Sequence, residues 1–340
     1  MNSPPNPFPT DQYIDLLAHK YGGQALACSN DFFASKDNLL LPEAPVFIED
    51  KYTVNGKWMD GWESRRRRGP GHDWCVLRLG LAGVIHAVNV DTTHFRGNAP
   101  DTVSLQACRS DNDPDEATSW QEILAQTNIE ANRENILPVN SDQSWTHLRL
   151  HIYPDGGVAR LRVYGDVSVD WASVLPGELI DLASCRYGGR AIACSDMFFG
   201  SMHNLLSPGR GTNMGDGWET RRRRGPGHDW VVIKLGTLGK VQRVEIDTCH
   251  FKGNYPDRFS LEGVRTPSPN LPSTDLQWTP LLPATKLSAD RIHRFQTQIL
   301  NTARVFSHVR LNNFPDGGIS RLRILGYPAF AENPDSHKPL

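Results

Sequence analysis

The stretch DGWESRRRRGPGHDW occupies residues 60–74, and it returns at residues 216–230 with a single change, Ser64 to Thr220. Other blocks recur in the same order: DTTHFRGN at 91–98 is matched by DTCHFKGN, and a Pro-Asp-Gly-Gly sequence occurs once in each half. The copies lie about 160 residues apart, which is domain-sized and far longer than the roughly 20–50 residues of a solenoid repeat. The chain therefore contains a duplicated domain.

The repeats set the expected domain boundaries. We predict an N-terminal lead over residues 1–12, a first repeat over 13–168, a second repeat over 169–330 and a C-terminal tail over 331–340. Two domains suit a chain of 340 residues, because a domain commonly has about 150. The first copy holds about ten extra residues between 42 and 57, and their composition predicts a surface loop.

The composition is that of a soluble globular protein. Hydrophobic residues make up 39% and charged residues 22% of the chain, which is enough for real cores and argues against disorder. The 36 lysines and arginines against 38 aspartates and glutamates leave a net charge of -2, unlike a dedicated nucleic-acid-binding protein. No apolar run approaches the roughly 20 residues that span a bilayer. Nucleic acid is therefore not expected as a partner because of the balanced charge, and a membrane is not expected because of the short apolar runs.

The cysteines and the first residues bear on the cellular compartment. Residues 1–7 lack a basic region followed by an apolar stretch, so no secretory leader is expected. The six cysteines form no C-x-x-C pair: Cys28, Cys75, Cys108, Cys185, Cys194 and Cys249. Reduced thiols and a cytoplasmic location are therefore expected.

Apolar residues alternate with polar ones in a way that indicates β-strands. The stretch 84–94 places Val84, His86, Val88, Val90 and His94 on its predicted buried side. The stretch 145–152 places His147 and His151 on its predicted outer side. The Pro-Asp-Gly-Gly sequences predict tight turns between strands. Helices are expected to be few and short, residues 11–20 being one candidate. The predicted fold is all-β, with two tandem duplicated jelly-roll (β-sandwich) domains.

Four arginines follow Glu63 in the first copy and Glu219 in the second. Three ordinary interpretations are a solvated strand edge, a structural ion pair with the glutamate, and a basic patch for nucleic acid, which the balanced charge disfavours. The fourth is an anion site, because arginine grips a carboxylate with a planar two-donor fork. In an extended segment Arg65 and Arg67 face one way, so at most two arginines per copy could converge on a ligand.

Histidines supply a second set of candidates. His94 and His250 precede a Gly-Asn pair at a predicted loop, where each could act as acid or base or simply be a satisfied, half-buried side chain. The histidine spacings do not indicate zinc, and Glu63, Asp91 and Asp101 could hold a cation with His94 only if the fold gathers them. Three histidine pairs are present in both copies: His72/His228, His94/His250 and His147/His308.

The repeated blocks resemble the allantoicase (allantoate amidinohydrolase) family. The resemblance rests on residues 59–66 and 216–222, on the DTTHFRGN-type block and on the Pro-Asp-Gly-Gly sequences, and it extends from about Tyr13 to Tyr327. It implies a tandem pair of jelly-roll domains and the hydrolysis of allantoate to ureidoglycolate and urea in the breakdown of purine nitrogen. The roles of individual residues are derived from the chemistry of that substrate.

Allantoate carries one carboxylate and two ureido groups on a single carbon. That carbon can lose urea once the leaving nitrogen is protonated, giving an acylimine that water attacks. The alternative is direct attack of water on the urea carbonyl, assisted by a metal ion. The first route needs an arginine for the carboxylate, an acid for the leaving urea, a base for the water and amide-type groups for the remaining ureido group.

These requirements assign the candidate residues. The expected proton carriers are Glu63, His94, Glu219 and His250. The expected substrate-binding residues are Arg65, Arg67, Asp91, Asn98, Arg221, Arg223, Asp247 and Asn254. Allantoate and further copies of the chain in a homo-oligomer are the expected partners. No cofactor is clearly signalled, and a divalent metal ion stays open, as does which repeat is active.

Two non-catalytic hypotheses stand beside this one. Jelly rolls often serve as carbohydrate-binding modules, in which Trp62 and Trp218 could stack on sugar. Such a protein would bind sugar saturably but release no urea from allantoate. The other alternative is a structural pair of domains, which predicts that the polar block is mostly consumed in internal ion pairs.

Overall fold

A computed structural model describes residues 8–268 and 276–329, and the chain divides into two compact units, Met1–Ser168 and Val169–Leu340. The strands described in the first unit are β1 (Ile14–Asp15), β2 (Gln24–Cys28), β3 (Tyr52–Thr53), β4 (Gly56–Lys57), β5 (Trp62–Glu63), β6 (Asp73–Asp91), β7 (Thr102–Cys108), β8 (Gln121–Asn128), β9 (Glu134–Pro138), β10 (Ser144–Tyr153), β11 (Gly157–Val158) and β12 (Arg160–Val167).

The second unit repeats this arrangement. Its described strands are β13 (Ile180–Asp181), β14 (Arg190–Cys194), β15 (Trp218–Glu219), β16 (Asp229–Asp247), β17 (Arg258–Val264), β18 (Thr279–Lys286), β19 (Ile292–Phe295), β20 (Phe306–Phe314), β21 (Gly318–Ile319) and β22 (Arg321–Pro328). The helices described are all 3-10 turns, at Thr10–Gln12, His19–Tyr21, Lys36–Leu40, Trp171–Ser173, Cys185–Tyr187, Met202–Leu206 and Met214–Asp216. The all-β prediction of two tandem jelly-roll domains is confirmed.

One long strand organises each unit. The eight-stranded sheet of the first unit has the order β1-β12-β6-β10-β7-β8, with β2 and β9 also paired to β6. Residues 73–78 of β6 lie between β2 and β10, whereas residues 87–91 lie between β12 and β9. A single strand thus supplies both layers of the sandwich, and β16 does the same between the corresponding neighbours of the second unit.

Glycines allow the long strand to pass from one layer to the other. A Cβ atom at Gly80 would lie 2.7 Å from the backbone nitrogen of Gly23, and one at Gly83 would lie 2.4 Å from the carbonyl oxygen of Asp166. Both neighbours are backbone atoms, which cannot move aside as a side chain could. Only glycine fits where the backbones approach this closely.

The core of each unit lies between its two layers. Leu77, Leu105 and Leu148 are fully buried in the first unit, on three adjacent strands of the sheet. Burial of side chains of this size is worth about 1.5–3 kcal/mol each relative to exposure. Strand alternation of the predicted kind is therefore what holds the sandwich together.

The predicted alternation over residues 84–94 is only partly correct. Val88 and Val90 are buried as predicted, but Val84 and His86 are half-exposed while Ile85 takes the buried side. The register of β12 against β6 shifts between Tyr164, which pairs with Ala87, and Gly165, which pairs with Ile85. A bulge of this kind moves every earlier side chain to the opposite face.

The end of that strand also differs from the prediction. β6 ends at Asp91, and His94 lies in the turn that follows, with a φ of 72°. Its equivalent His250 has a φ of 69° in the second unit. These histidines are therefore turn residues rather than the last residues of strands.

The outer face of β10 is more enclosed than the sequence pattern suggests. His147 and His151 lie on the predicted outer parity, yet their exposed fractions are only 2% and 9%. β10 lies between β6 and β7, and Oδ1 of Asp113 lies 3.5 Å from Nε2 of His147. Side chains from neighbouring segments therefore cover this face.

Residues 11–20 are not one helix. Strand β1 separates two short 3-10 turns, because Ile14 and Asp15 pair with β12 and the Asp15 carboxylate accepts the backbone N–H groups of Leu17 and Val163. Long-range strand pairing here overrides the local helical pattern. Of the predicted terminal segments, residues 1–7 and 331–340 lie outside the described residues.

The surface-loop prediction for residues 42–57 is confirmed. Most of these side chains are exposed, and the loop closes in a small hairpin of β3 and β4. No helix in the described part of the chain is long and apolar enough to cross a bilayer.

Candidate active-site edge in each repeat

Three repeated sequence blocks meet at one edge of the first unit. β5 pairs with β11 so that Glu63 lies opposite Gly157. The backbone N–H of Gly157 in turn donates to the carbonyl oxygen of Asn98 at 2.7 Å. The Trp-Glu block, the His-Phe-Arg-Gly-Asn block and the Pro-Asp-Gly-Gly turn are therefore neighbours in space, and we call this place the Glu63–Asn98 edge.

The two glycines of the turn make this approach possible. Gly156 has a φ of 136°, and a Cβ atom there would lie 2.6 Å from the Asn98 carbonyl oxygen. A Cβ atom at Gly157 would lie 1.9 Å from the ring of Phe95, which is fully buried. Any larger residue would push the Asn98 segment away from β5.

Glu63 is buried and is bound by a neutral group. Its Oε1 accepts a hydrogen bond from Nδ2 of Asn98 at 2.7 Å, and only 8% of the residue is exposed. Burial raises the pKa of Glu63, although the Asn98 hydrogen bond lowers it in part. The alternative in which an arginine pairs with Glu63 is wrong, since among the described residues no ion pair involves it. A carboxyl group with a raised pKa suits a general acid.

The second unit builds the same pair. Nδ2 of Asn254 donates to Oε1 of Glu219 at 2.5 Å, and Glu219 lies opposite Gly318. Glu219 is half-buried rather than buried. A cavity of about 490 Å³ adjoins the pair and is lined by Asn213, Met214, His250, Lys252, Gly253 and Asn254. The predicted residues Asn254 and His250 thus share one cavity.

Each turn histidine binds a loop through one ring nitrogen. Nε2 of His94 lies 3.2 Å from the carbonyl oxygen of Pro45, and Nε2 of His250 lies 2.9 Å from that of Gly211. A carbonyl oxygen only accepts, so Nε2 carries the hydrogen in both. The backbone N–H of His94 also donates to Asn132. Proton transfer by these histidines would therefore use Nδ1.

The predicted aspartates support the same turns. Asp91 is buried, and its Oδ1 accepts the backbone N–H of Thr93 at 2.8 Å. Asp247 accepts that of Cys249 at 2.9 Å and is also paired with Arg210 at 2.9 Å. Both carboxylates are engaged with backbone groups of the turn that carries the histidine, which favours a positioning role.

The arginines divide into two kinds, of which the first is structural. Nη2 of Arg67 donates to the buried carboxylate of Asp73 at 2.7 Å, and Arg223 does the same to Asp229 at 2.6 Å. Ser29 also donates to that Asp73 oxygen. These half-buried arginines are each held by a buried carboxylate, so they have less freedom to bind a substrate.

Arg65 and Arg221 are the second kind, and both are exposed. The guanidinium of Arg65 lies over the Phe32 ring, 3.9 Å from its centroid, and has no ion-pair partner among the described residues. Arg221 instead forms an ion pair with Asp196 at 2.9 Å. Arg65 thus presents an open guanidinium, and its Cα atom is at most about 7 Å from that of Glu63.

The tryptophans do not fit sugar binding. Trp62 and Trp218 are fully buried, and their indole N–H groups donate to the carbonyl oxygens of Asn30 and Asp196 at 2.9 Å. A ring that stacks on sugar must be exposed. The prediction that these two residues could form a carbohydrate platform is therefore wrong.

A metal site is not assembled from the predicted set. Among residues 8–268 and 276–329, no group of three or more His, Cys, Asp or Glu side chains is placed to hold a metal ion. Glu63, Asp91, Asp101 and His94 are thus not gathered into one ligand set.

A histidine pair was missed by sequence reasoning. Nε2 of His72 lies 2.8 Å from Nδ1 of His151, and Nε2 of His151 lies 3.1 Å from Oε1 of Gln106. Burial, with the nearby His72 and Arg149 charges, lowers the pKa of His151 to about 4. In the second unit Asn312 takes this place beside His228. The divergence between the copies at this position was the available signal.

Position 30 was missed as well. Asn30 accepts the backbone N–H of Arg65, and its equivalent Asp196 accepts that of Arg221, both at 2.7 Å. The Asn-to-Asp difference lies in a block that the two repeats largely share, residues 27–35 against 193–201, which differ at three positions. That contrast between copies marks the position without any structure.

Comparisons with known proteins agree with the repeat structure. The family model of the allantoicase repeat matches residues 14–168 and again 180–329. The chain is 50% identical to a probable allantoicase of Photobacterium profundum, covering 93% of this chain and 97% of that one. It is 49% identical to a probable allantoicase of Pseudomonas paraeruginosa, covering 96% and 99%. The crystal structure of an allantoicase from Saccharomyces cerevisiae matches with a TM-score of 0.78 at 35% identity, covering 93% and 94%.

Proposed function

The chain belongs to the allantoicase family, and from this premise we propose that it hydrolyses allantoate to ureidoglycolate and urea, a step of purine (allantoin) degradation. We further propose that the reaction takes place at the Glu63–Asn98 type of edge. The observation that carries this assignment is the buried carboxyl group of Glu63, which is bound by a neutral amide and followed two residues later by an arginine with an open guanidinium. Acid, amide and cation are the groups that the substrate requires.

The proposed chemistry uses one carboxyl group twice. Protonated Glu63 donates its proton to the nitrogen of the leaving ureido group, and the C–N bond breaks with its electron pair going to urea. The lone pair of the remaining ureido nitrogen forms a C=N bond to the central carbon. Water then adds to that carbon and returns a proton to Glu63, so the sum is allantoate plus water giving ureidoglycolate plus urea.

The remaining residues bind and orient the substrate. In this proposal Arg65 binds the substrate carboxylate through its two-donor fork. Asn98 holds the Glu63 carboxyl group and is a candidate partner for the remaining ureido group. His94, through Nδ1, is the alternative proton carrier. Equivalent roles in the second unit fall to Glu219, Asn254 and His250.

Separate E63Q and E219Q variants test the glutamates. Glutamine keeps the size of the side chain and can still meet the asparagine, but it has no proton to transfer. If the acid is Glu63, E63Q lowers the rate of urea release from allantoate by about 10²–10⁴-fold. Full activity in both variants would reject a glutamate as acid or base. Urea release before and after chelation decides the metal-assisted alternative, and saturable sugar binding without urea release would favour a binding module.

Two further proposals concern the location and the assembly of the protein. We propose a cytoplasmic enzyme, supported by six free cysteines. We also propose a homo-oligomer, supported by exposed apolar side chains in the 42–57 loop, such as Phe47 and Tyr52. Cell fractionation tests the first proposal. Light scattering on a size-exclusion column tests the second, and the mass of a single chain would contradict it.

A further inference from the structure

The two repeats differ at two neighbouring positions of the segment beside the exposed arginine, Asn30 against Asp196 and Asp31 against Met197. Position 30 is Asn and the equivalent position 196 is Asp. Their shared contacts are the same: one side-chain oxygen accepts the backbone N–H of the arginine, and the backbone carbonyl accepts the buried tryptophan. The backbone around positions 30 and 196 is therefore held by the same two hydrogen bonds in both repeats.

The two copies differ in the second polar atom of the side chain at this position. Oδ1 of Asp196 accepts hydrogen bonds from Arg221 at 3.0 Å through Nε and forms an ion pair with Nη2 at 2.9 Å. Since Oδ1 of Asn30 accepts the Arg65 N–H, the corresponding second atom of Asn30 is the amide nitrogen Nδ2. An amide nitrogen only donates and cannot accept from a guanidinium. Asn30 therefore cannot capture Arg65 as Asp196 captures Arg221.

The ring contacts report the same difference. The Arg65 guanidinium lies 3.9 Å from the centroid of the Phe32 ring, whereas that of Arg221 lies 5.0 Å from the centroid of Phe198. A guanidinium over an aromatic face keeps its edge N–H groups available for an anion. In the second repeat the aspartate occupies these donors and supplies a negative charge that repels a second carboxylate.

The charge of Asp196 is stable near neutral pH. Burial acts to raise the pKa of Asp196, but hydrogen bonds from the backbone N–H groups of Arg221 and Phe198, together with the Arg221 guanidinium, outweigh it and lower the pKa. The pair is partly exposed, so its stabilising energy is small. The effect of the Arg221–Asp196 pair on ligand binding is larger, because the carboxylate of a ligand meets an arginine whose charge is already neutralised.

We infer that the first repeat alone binds the substrate carboxylate, through Arg65, and that Asn30 is the specificity-determining residue that keeps this arginine free while Asp196 closes the equivalent position in the second repeat. This inference rests on the proposed function and narrows it to one of the two edges. It assigns a role to position 30, which the substrate does not need to touch. Asn30 is thus a positioning residue.

The test exchanges the two side chains. N30D places in the first repeat the aspartate that the second repeat already accommodates, so the fold has a precedent for it. Arg65 is then captured, and we expect the KM for allantoate to rise about tenfold or more, with a much smaller change in kcat. D196N is the matched control and is expected to leave KM within about twofold.

A double variant separates this role from a merely structural one. R65A is expected to raise KM as N30D does, and adding N30D to R65A is expected to produce no further rise, because both act through the same guanidinium. An unchanged KM in N30D, an equal rise in D196N, or additive effects in the double variant would each overturn the inference. A wild-type protein that releases no urea would overturn the proposed function instead.

Discussion

Glu63 receives one hydrogen bond from a neutral amide and none from a cation, which is unusual for a buried carboxyl group. Its protonated form therefore persists to higher pH than in an exposed glutamate, because burial raises its pKa. A general acid acts in its protonated form. Activity that depends on Glu63 must fall as the pH rises through this pKa.

This gives a pH prediction with a defined sign. The Asn98 hydrogen bond favours the charged carboxylate, so N98A raises the pKa of Glu63 and should move the alkaline limb of kcat to higher pH. N254A is the matched change in the second repeat, which by the inference above does not bind the substrate carboxylate, so N254A should leave the limb in place. The pH profile of urea release measures both, and a limb that does not move in N98A would contradict the assignment of Glu63 as the acid.

His151 gives a second prediction, this time for stability. Its folded pKa of about 4 lies below the value of about 6.5 for an unfolded histidine, so the unfolded state binds the proton first on acidification. The stability that neutral His151 contributes is present above about pH 6.5 and is lost as the pH falls toward 4. H151N introduces the residue found at the equivalent Asn312 and should reduce the fall in Tm between pH 7 and pH 5.

The control for this experiment is an exposed histidine. H19N changes a solvent-facing side chain and should leave the pH dependence of Tm as in the wild type. Calorimetric or fluorescence-detected melting over that pH range is sufficient. An H151N protein with the same acid dependence as the wild type would show that another group is responsible.

At the scale of single residues, the sequence indicated which residues are retained in both repeats but not which side chains contact one another. The duplication marked Glu63 and Asn98 as retained, but their contact joins segments far apart in the chain and depends on the backbone of a third segment. The stacking of Arg65 on Phe32 and the capture of Arg67 by Asp73 depend equally on local geometry. No spacing rule distinguishes these two arginines, although their neighbours in the sequence are alike.

At the scale of elements, the Pro-Asp-Gly-Gly turn controls the active-site edge. G157A would place a Cβ atom 1.9 Å from the buried ring of Phe95, so the ring or β11 must move. Overpacking of this kind costs about 1–3 kcal/mol, and we expect the free energy of unfolding to fall by that amount or more. Urea release should fall with it, since the same movement separates Asn98 from Glu63.

Gly97 provides the comparison. A Cβ atom there meets nothing within 4 Å, so G97A should leave the free energy of unfolding within about 0.5 kcal/mol of the wild-type value. Urea-induced unfolding of the two variants, followed by tryptophan fluorescence, measures the difference. Equal stability of G157A and G97A would mean that the turn is not confined by Phe95.

Strand prediction succeeded where side chains alternate without interruption. It failed at the bulge opposite Ile85, where one extra residue in the ladder exchanges the two faces of β6. It also failed for residues 11–20, whose Asp15 carboxylate is engaged by a strand far along the chain. Both failures come from long-range pairing, which local periodicity does not contain.

At the scale of the whole molecule, the thiols provide a simple test of redox state. All six cysteines are free, and four of them are buried. Burial raises the pKa of Cys194 to about 11 and also that of Cys28, so even the half-exposed thiols are weakly reactive near neutral pH. Titration with a thiol reagent should count six groups in denaturant without any reductant, and only slow, partial reaction in the native protein.

A count below six in denaturant would contradict this expectation, because it would require a disulfide or an oxidised thiol. The native protein prepared with and without reductant should also melt at the same temperature. A higher Tm without reductant would indicate that a cross-link forms.

The shared long strand has a consequence for how a repeat can arise and be divided. Because β6 belongs to both layers, a break within it leaves neither layer with a complete set of partners. Neither layer is a separate foldable module, so a truncated half-repeat should collapse without a defined structure. The smallest unit that can fold is then the entire repeat, and the entire repeat is what the sequence shows twice. Its two descendants can drift apart only in surface loops and side chains, as they have at residues 42–57 and at positions 30 and 196.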